Sequence, residues 1–224
     1  MSNFQMKWVA IITMFLDHLG VVLMDITPMA FYLRVIGRVA FPLFVFLWAE
    51  ACLHTRDIKK YATRLGIFAL ISQLPFALLL QTPLWQSVNI FATLFMGTVL
   101  IWVFKSIERE KITHLLGVIM LSVVMVMAAN LLNVDYGGTG IILMLWLYQM
   151  REQFPQNTGP AMLVAGIGMF IIYPLGSWFF WAGLLSLVPM WRYNHQLGYK
   201  KMKWLFYSFY PAHLLALGLW RLMM

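Results

Sequence analysis

Two adjacent ionisable residues, Asp17 and His18, lie in the middle of the first long apolar stretch of the chain. The next apolar stretch carries Arg34 and Arg38, which share one helical face because they are four positions apart. If both stretches cross a bilayer, Asp17 and Arg38 each lie ~14 Å from an interface, near the mid-plane. Ionisable side chains at that depth are costly, so we interpret these four residues as a functional site.

Asp17 and His18 cannot orient each other across one helical face, since adjacent positions on a helix point about 100° apart. We therefore expect Asp17 to pair with an arginine and His18 to face a different group. Two arginines against one aspartate leave one positive charge, which an anionic group of a ligand could balance. The alternative is a closed network of aspartate and arginine that only holds helices together.

The composition is typical of a polytopic membrane protein, with 62% hydrophobic and 11% charged residues and a mean hydropathy of +0.79. The absence of an internal repeat or a low-complexity linker predicts one domain, residues 1–224. The opening stretch does not resemble a cleaved signal peptide, because its apolar run contains an aspartate and a histidine. With the single Cys52 no internal disulfide is possible, and we interpret it as a packing residue.

The apolar segments predict an all-α membrane bundle of about nine transmembrane helices, with a range of eight to ten. The sixth to eighth segments are short and rich in glycine, which is the reason for the range. The predicted segments are residues 7–25, 29–52, 62–81, 86–105, 112–132, 138–150, 160–175, 177–190 and 205–223.

The basic residues alternate with these segments in a way that sets the orientation. Of the 16 lysines and arginines, 13 fall at or near alternate segment ends, on one predicted side of the membrane. They are Lys7, Arg56, Lys59, Lys60, Arg64, Lys105, Arg109, Lys111, Arg151, Arg192, Lys200, Lys201 and Lys203. The positive-inside rule then places the N-terminus in the cytoplasm, as in a multi-pass protein of the bacterial inner membrane. The net charge of +8 is explained by this topology, and no nucleic-acid-binding motif is present.

Further polar residues inside the segments could line a cavity or bond neighbouring helices. Gln73, Asn89 and Thr93 are candidates for either role. Asp135 and Tyr136, at the outer end of the fifth segment, belong either to an entrance or to a solvated loop.

Three more polar residues lie in the last segment and at the inner end of the second segment. His213, ~12 Å into the last segment, is either a site residue or a packing histidine. Glu50 and His54 lie at the inner end of the second segment, where we expect Glu50 to pair with loop lysines and His54 to be interfacial.

A buried histidine beside arginines suits the transfer of an acyl group from a cytoplasmic donor to an acceptor in or beyond the membrane. Neutral imidazole can take a proton from an amine or hydroxyl nucleophile, or can itself be acylated. Arginines can hold the phosphates of a donor or stabilise a tetrahedral oxyanion. The same residues would also suit a proton-coupled transporter, and the residue types do not distinguish the two.

Several motifs resemble the TraX family, known as N-terminal acetylases of conjugative F-type pilin. They follow the family order from Lys7 to Leu217 and read KWVAIITMFLDHLG, LRVIGRVAFPLFVFLWAE, HTRDIKKYATRL, ISQLPF, VDYGGTG and FYSFYPAHLLAL. The family in turn resembles a wider group of transmembrane acyltransferases that use acyl-CoA. By this resemblance the motif positions are occupied by Asp17, His18, Arg34, Arg38, Tyr210 and His213.

The resemblance implies an acetyl-CoA-dependent N-acetyltransferase without a metal, whose acceptor is the N-terminus of a membrane-inserted pilin. His18 is then the base or a transient acyl carrier, Asp17 positions an arginine, and Arg34 and Arg38 bind donor phosphates or the oxyanion. The expected contacts to the donor or to the acceptor come from Lys60, Arg64, Lys201, Tyr210, His213, Gln73, Asn89, Thr93, Asp135 and Tyr136.

Three other functions stay open at this point. The first is an O-acetyltransferase acting on a glycan or lipid hydroxyl. The second is a proton-coupled transporter that uses the Asp17, His18 and Arg38 cluster. The third is a non-catalytic chaperone for inserting pilins. The first would differ only in its acceptor, whereas the other two need no CoA site.

Overall fold

The computed structural model describes residues 1–106, 112–196, 198–199 and 202–224, with only the backbone described for 112–114 and 203. The described residues form eleven α-helices and no strand. In chain order they are α1 (Asn3–Val22), α2 (Met29–Gly37), α3 (Ala40–His54), α4 (Ile58–Leu80), α5 (Ile90–Ser106), α6 (Ile112–Leu131), α7 (Gly137–Gln153), α8 (Gly159–Ile172), α9 (Trp178–Leu184), α10 (Leu187–Trp191) and α11 (Lys203–Met223). The predicted all-α class is confirmed.

Two prolines divide predicted segments into pairs of short helices. Pro42 has no N–H to donate to the carbonyl of Arg38, and its ring crowds that carbonyl, so α2 ends at Gly37 and α3 begins at Ala40. Pro189 separates α9 from α10 in the same way. With each pair counted as one stretch, the described helices coincide with the nine predicted segments.

Two helical stretches of the described chain, Met29–His54 and Ile58–Leu80, are long and apolar enough to cross a membrane. Other apolar helices, including Ile90–Ser106 and Gly159–Ile172, are shorter. The surface is also apolar, as on α6, where Met120 is 68% exposed. Such a surface is unusual in a water-soluble monomer, so these observations together indicate membrane association. The number of spans stays a prediction.

Helix α3 occupies the centre of the bundle. Eleven of its fifteen residues are buried, including Phe46 and Ala49 at 0% exposure, and a helix that is apolar on all sides belongs in a core. Helices α1 and α7 pack against it, and α1 also packs on α2 and α11. This arrangement surrounds the polar parts of α1 and α2 with packed helices.

The helices α1, α4 and α11 run in the same direction. The N–H of Asn3 donates to the carbonyl of Gln196 at 2.8 Å, and Arg221 donates to the carbonyl of Leu79 at 2.7 Å. The start of α1 therefore lies beside the segment before α11, and α4 and α11 end together. We call the end where α1 begins and α3 ends the basic end, because the described Lys7, Arg56, Lys59, Lys60, Arg64, Lys105 and Arg192 lie on segments at that end. Of the other basic residues used to predict the topology, Arg109, Lys111, Lys200 and Lys201 lie outside the described residues, and the side chain of Lys203 is not described.

Candidate functional site

Two glycines allow α1 and α2 to approach each other closely. A Cβ on Gly20 would lie 2.9 Å from the carbonyl oxygen of Ala30, and a Cβ on Gly37 would overlap the side chain of Asp17. At both positions a residue larger than glycine would fit only if the helices separated. The contact brings the middle of α1 against the face of α2 that carries the arginines.

Asp17 pairs with both arginines, whereas the sequence predicted a pair with one. Its Oδ2 lies 3.4 Å from Nη1 of Arg34, and its Oδ1 accepts a hydrogen bond from Nη2 of Arg38. The carboxylate is largely buried, with 16% of the side chain exposed. A charged group in such a place needs a partner, and here one carboxylate has two.

The break between α2 and α3 places Arg38 in a fixed position. Its Nε donates to the carbonyl of Arg34 at 3.2 Å, and its Nη1 donates to the Tyr173 hydroxyl at 3.0 Å. The guanidinium also lies 5.4 Å from the ring centroid of Phe179, within the range of a cation–π interaction. All three nitrogens of Arg38 are therefore bonded, counting the bond to Asp17.

Arg34 differs from Arg38 in having a nitrogen free. Its Nη1 contacts Asp17, whereas its buried Nε has no hydrogen-bond partner in the described part of the chain. A buried donor without a partner is unfavourable, and a ligand oxygen would satisfy it. Of the two arginines, Arg34 is thus the one with an unused donor.

His18 faces α11, where it forms a hydrogen-bonded pair with His213. The Nδ1 of His18 lies 2.8 Å from Nε2 of His213, and Nδ1 of His213 lies 2.7 Å from the carbonyl oxygen of Phe209. A carbonyl only accepts, so Nδ1 of His213 carries a hydrogen, and in the neutral ring its Nε2 is an acceptor. His18 must then donate from Nδ1, which assigns the lone pair of neutral His18 to its Nε2. The prediction that His18 faces a group other than an arginine is confirmed.

The connection between α6 and α7 contributes the other polar part of the cluster. Tyr136 adopts a left-handed backbone (φ 62°), and its ring stacks on Phe41 with the centroids 3.4 Å apart. Asp135 is partly buried within charge range of Arg38 and Asp17. Burial raises the pKa of Asp135 to about 6, against the opposing effect of Arg38. Asp135 is thus not a fully solvated loop acid.

Asp135 changes the charge balance expected from the sequence. Arg34 and Arg38 carry two positive charges, and ionised Asp17 and Asp135 carry two negative charges. The single unbalanced positive charge that we expected is therefore absent while Asp135 is ionised. The reason is that Asp135, more than 90 positions along the chain, lies within charge range of the arginines, which the spacing of the motifs could not show.

Two of the predicted phosphate contacts, Lys60 and Arg64, lie at the basic end. Arg64 lines a cavity of about 270 Å³, which Tyr210 also lines at its inner end. Lys60 is exposed and pairs with Asp57, the N-cap of α4, at 3.2 Å. A backbone hydrogen bond from Lys60 lowers the pKa of Asp57. Lys201 lies outside the described residues.

Three of the predicted acceptor contacts bond to other parts of the protein. Gln73 donates to the carbonyl of Ser87 at 2.8 Å and accepts from the side chain of Asn89 at 2.8 Å. Asn89 also donates to the carbonyl of Ala69, and Thr93 donates to the carbonyl of Asp135 at 2.7 Å. The structure therefore gives these residues the helix-bonding role, and it places none of the three in the lining of the cavity.

The expected pairing of Glu50 with loop lysines is wrong. Glu50 pairs with Arg151 of α7 at 2.7 Å, and both side chains are 2% exposed. Tyr193 donates to the other carboxylate oxygen at 2.8 Å, and burial raises the pKa of Tyr193. Arg151 also donates to the carbonyl of Pro155, so it belongs to the core and not to the loop surface. His54 bonds the carbonyl of Glu50 through Nδ1.

Sequence reasoning did not identify Tyr173 as a partner of Arg38 or Lys7 as a lining residue of the cavity. Tyr173 is an uncharged residue at the end of an apolar segment, and Lys7 fitted the topology pattern without a further role. Cys52 is buried, as expected of a packing residue. Among the residues that the structure describes, no group of three or more His, Cys, Asp or Glu could hold a metal ion.

Comparisons with known proteins place the chain among its relatives. The family model described as TraX protein matches residues 2–221. A curated protein named probable fimbrial assembly protein FimC, serogroup H1, from Dichelobacter nodosus, is 26% identical over 230 residues. That alignment covers 96% of this chain and 94% of the relative. No solved structure matches the chain.

Proposed function

The chain belongs to the TraX family, and on that premise we propose that it is a membrane acetyltransferase that acts in pilus assembly. In this proposal it transfers an acetyl group from cytoplasmic acetyl-CoA to the N-terminal amine of a membrane-inserted pilin subunit. The name of the FimC relative supports the link to pilus or fimbrial assembly.

The observation that carries the proposal is the hydrogen-bonded pair of His18 and His213. The order of donors and acceptors from Phe209 to His18 gives neutral His18 a lone pair on Nε2. No group of the described residues forms a hydrogen bond with Nε2 of His18, so this nitrogen is available to a substrate. A held imidazole with one free lone pair is the usual general base for an amine nucleophile.

The chemical step follows from that assignment. The acceptor amine attacks the thioester carbonyl of acetyl-CoA while its proton passes to Nε2 of His18. The tetrahedral intermediate then collapses, the carbon–sulfur bond breaks, and the thiolate takes the proton back from His18. The products are an acetylated amine and free CoA, and His18 returns to its starting state. Direct transfer needs no acyl-histidine, although the same nitrogen could carry one.

The two arginines have different roles in this proposal. The Nε of Arg34, which is buried without a partner, is suited to donate to the oxyanion of the intermediate. Arg38 is bonded at every nitrogen, so its role is to hold Asp17 and the end of α2 in place. Asp17 in turn positions Arg34 by the contact at 3.4 Å.

The proposal also includes a multi-pass topology in the bacterial inner membrane, with the N-terminus in the cytoplasm. It is supported by the match of the helical stretches to nine predicted segments and by the basic end. Single cysteines placed in the connections of a Cys52→Ala protein would report each side by labelling from outside intact spheroplasts. Labelling at Arg56 or Arg192 positions from outside would contradict the orientation.

The reaction can be tested with purified protein in nanodiscs. Acetyl-CoA labelled on the acetyl group is incubated with a pilin N-terminal peptide, and the peptide is examined by mass spectrometry. His18→Asn should lower transfer by about 100- to 10,000-fold, the range for loss of a general base. The matched control is His195→Asn, since His195 is exposed and adopts a left-handed backbone (φ 59°) that asparagine tolerates.

Each of the other functions predicts a different result, and each result has its own measurement. Label found on a glycan or lipid, with an unmodified peptide, would replace the amine by a hydroxyl acceptor. Uptake of a solute into proteoliposomes without CoA binding would indicate a transporter. Full pilus assembly in cells that carry His18→Asn would favour a chaperone over an enzyme.

A further inference from the structure

A cavity of about 270 Å³ leads from the basic end of the bundle towards the paired histidines. Its walls come from α1, α3, α4, α5 and α11, and they are mainly apolar, as at Phe44 and Trp48. We propose that this cavity holds the thioester arm of acetyl-CoA, with the phosphates at Lys7 and Arg64. The inference rests on the proposed acetyltransferase function and gives the phosphates of the donor a place distinct from the paired arginines.

The end of the cavity that opens at the basic end of the bundle, here called its outer end, carries two cations without an acidic partner among the described residues. Lys7 lies with Nζ 5.5 Å from the ring centroid of Phe206, and the guanidinium of Arg64 lies 5.8 Å from that of Tyr61. The Nε of Arg64 is buried and has no hydrogen-bond partner among the described residues. Two cations beside aromatic rings, with an unused buried donor, fit an anionic group such as a phosphate.

The inner end of the cavity reaches the level of the proposed chemistry. Helix α1 rises ~16 Å between Lys7 and His18 at 1.5 Å per residue. Tyr210 lines the cavity, is 3% exposed, and has its ring centroid 6.1 Å from that of His18 and 5.6 Å from that of His213. Its buried hydroxyl has no acceptor among the residues that the structure describes. A thioester carbonyl at this end would accept that hydrogen bond and lie beside His18.

The size and lining of the cavity indicate which part of acetyl-CoA it can hold. Pockets for drug-sized ligands span about 300–1,000 Å³, so a cavity of about 270 Å³ suits a slender chain and not the nucleotide as well. The nucleotide phosphates would then stay at the outer end with Lys7 and Arg64. Arg34 and Arg38, by contrast, are bound to Asp17 and lie outside the lining.

A phospholipid is the other molecule with a phosphate and a slender apolar chain. Charge alone does not distinguish it from acetyl-CoA, because both present a phosphate at the outer end. The position of Tyr210 favours the thioester, since a hydrocarbon chain offers no acceptor for a buried hydroxyl. We therefore assign the cavity to acetyl-CoA and treat a lipid as an outcome of the test.

The test measures binding of CoA and of adenosine 3′,5′-bisphosphate, which lacks the arm, to the full chain in nanodiscs. Lys7→Gln and Arg64→Gln should each weaken both ligands about tenfold or more, as for loss of a charge-assisted bond. Arg56→Gln is the matched control, because Arg56 is exposed and outside the lining, and should leave both affinities unchanged. Ala51→Leu fills the cavity and should weaken CoA while leaving the bisphosphate unchanged.

The outcomes separate this inference from the proposed function. If the folded wild-type protein binds no CoA, the acetyltransferase proposal itself fails. If it binds CoA and the Lys7, Arg64 and Ala51 variants bind as well as wild type, the donor lies elsewhere and only the cavity assignment is overturned. A phospholipid found by native mass spectrometry, lost in Ala51→Leu and not displaced by CoA, would overturn the assignment in favour of a lipid.

Discussion

Replacing His213 by leucine tests the role that we assign to the paired histidines. In the wild-type protein, Nε2 of His213 accepts from Nδ1 of His18 at 2.8 Å. Leucine is similar in size but offers no acceptor, so the Nδ1 hydrogen of His18 would remain in a buried place without a partner. His18 would no longer be held with its lone pair on Nε2.

The size of the effect follows from the bond that is lost. Leaving a buried donor unpaired costs about 1–3 kcal/mol, which corresponds to a decrease in rate of about 5- to 150-fold. Because His213 is not among the residues that line the cavity we assign to the donor, kcat should fall while KM for acetyl-CoA changes less than about twofold. His213→Gln should recover most of the rate, since its amide oxygen can accept from His18.

The assay is steady-state transfer to a pilin peptide, with thermal unfolding followed in parallel. Ser208→Ala on the same helix is the control, because Ser208 is exposed and, among the described residues, its hydroxyl bonds the carbonyl of Trp204 alone. Wild-type kcat in a folded His213→Leu protein would refute the reasoning. If His213→Leu and His213→Gln lower the melting temperature equally and neither lowers kcat, His213 is a packing residue and does not hold His18.

Three further predictions concern stability. Arg151→Met should destabilise the protein by about 3–5 kcal/mol, because it leaves the Glu50 carboxylate buried without its cation; denaturant unfolding that shows no loss would contradict this. Gly37→Ala should lower the free energy of unfolding by about 1–3 kcal/mol and lower activity, since the added Cβ overlaps Asp17. Gly117→Ala is the control and should change neither quantity, because a Cβ there has nothing within 4 Å among the described residues. Equal melting temperatures for the two variants would be contrary evidence. Asp135→Asn should stabilise the protein at pH 7.5 by at most about 3 kcal/mol relative to wild type, because a carboxyl whose folded-state pKa is raised to about 6 costs stability while it is ionised. This difference in the free energy of unfolding should shrink as the pH falls from 6 towards 4. A pH-independent difference would show that Asp135 does not titrate as described.

Much of the site could be predicted where local spacing decides the geometry. The four-residue separation of Arg34 and Arg38 puts them on one face, and the depth of Asp17 on the preceding helix puts it at their level. The pairing seen at 3.4 Å follows directly. The break at Arg38 was also within reach, because Pro42 is four residues later and cannot donate to its carbonyl.

Contacts between distant segments could not be predicted in the same way. Helix α3 is apolar on nearly every side, so its sequence does not show which neighbour Glu50 faces, and Arg151 could be read only as a loop charge. Asp135 reaches the arginines through a turn that requires the left-handed backbone of Tyr136. Rotation of each helix about its axis is set by packing, which an almost uniformly apolar sequence does not encode in a simple pattern.

Transfer of labelled acetyl to a pilin N-terminal peptide by the purified protein in nanodiscs is the most direct test of the central claim. Our account predicts an acetylated peptide with wild-type protein and with His195→Asn, and a decrease of about 100-fold or more with folded His18→Asn. Equal transfer by wild type and His18→Asn would contradict the assignment of His18 as the base. No transfer and no CoA binding by the folded wild-type protein would contradict the proposed acetyltransferase function.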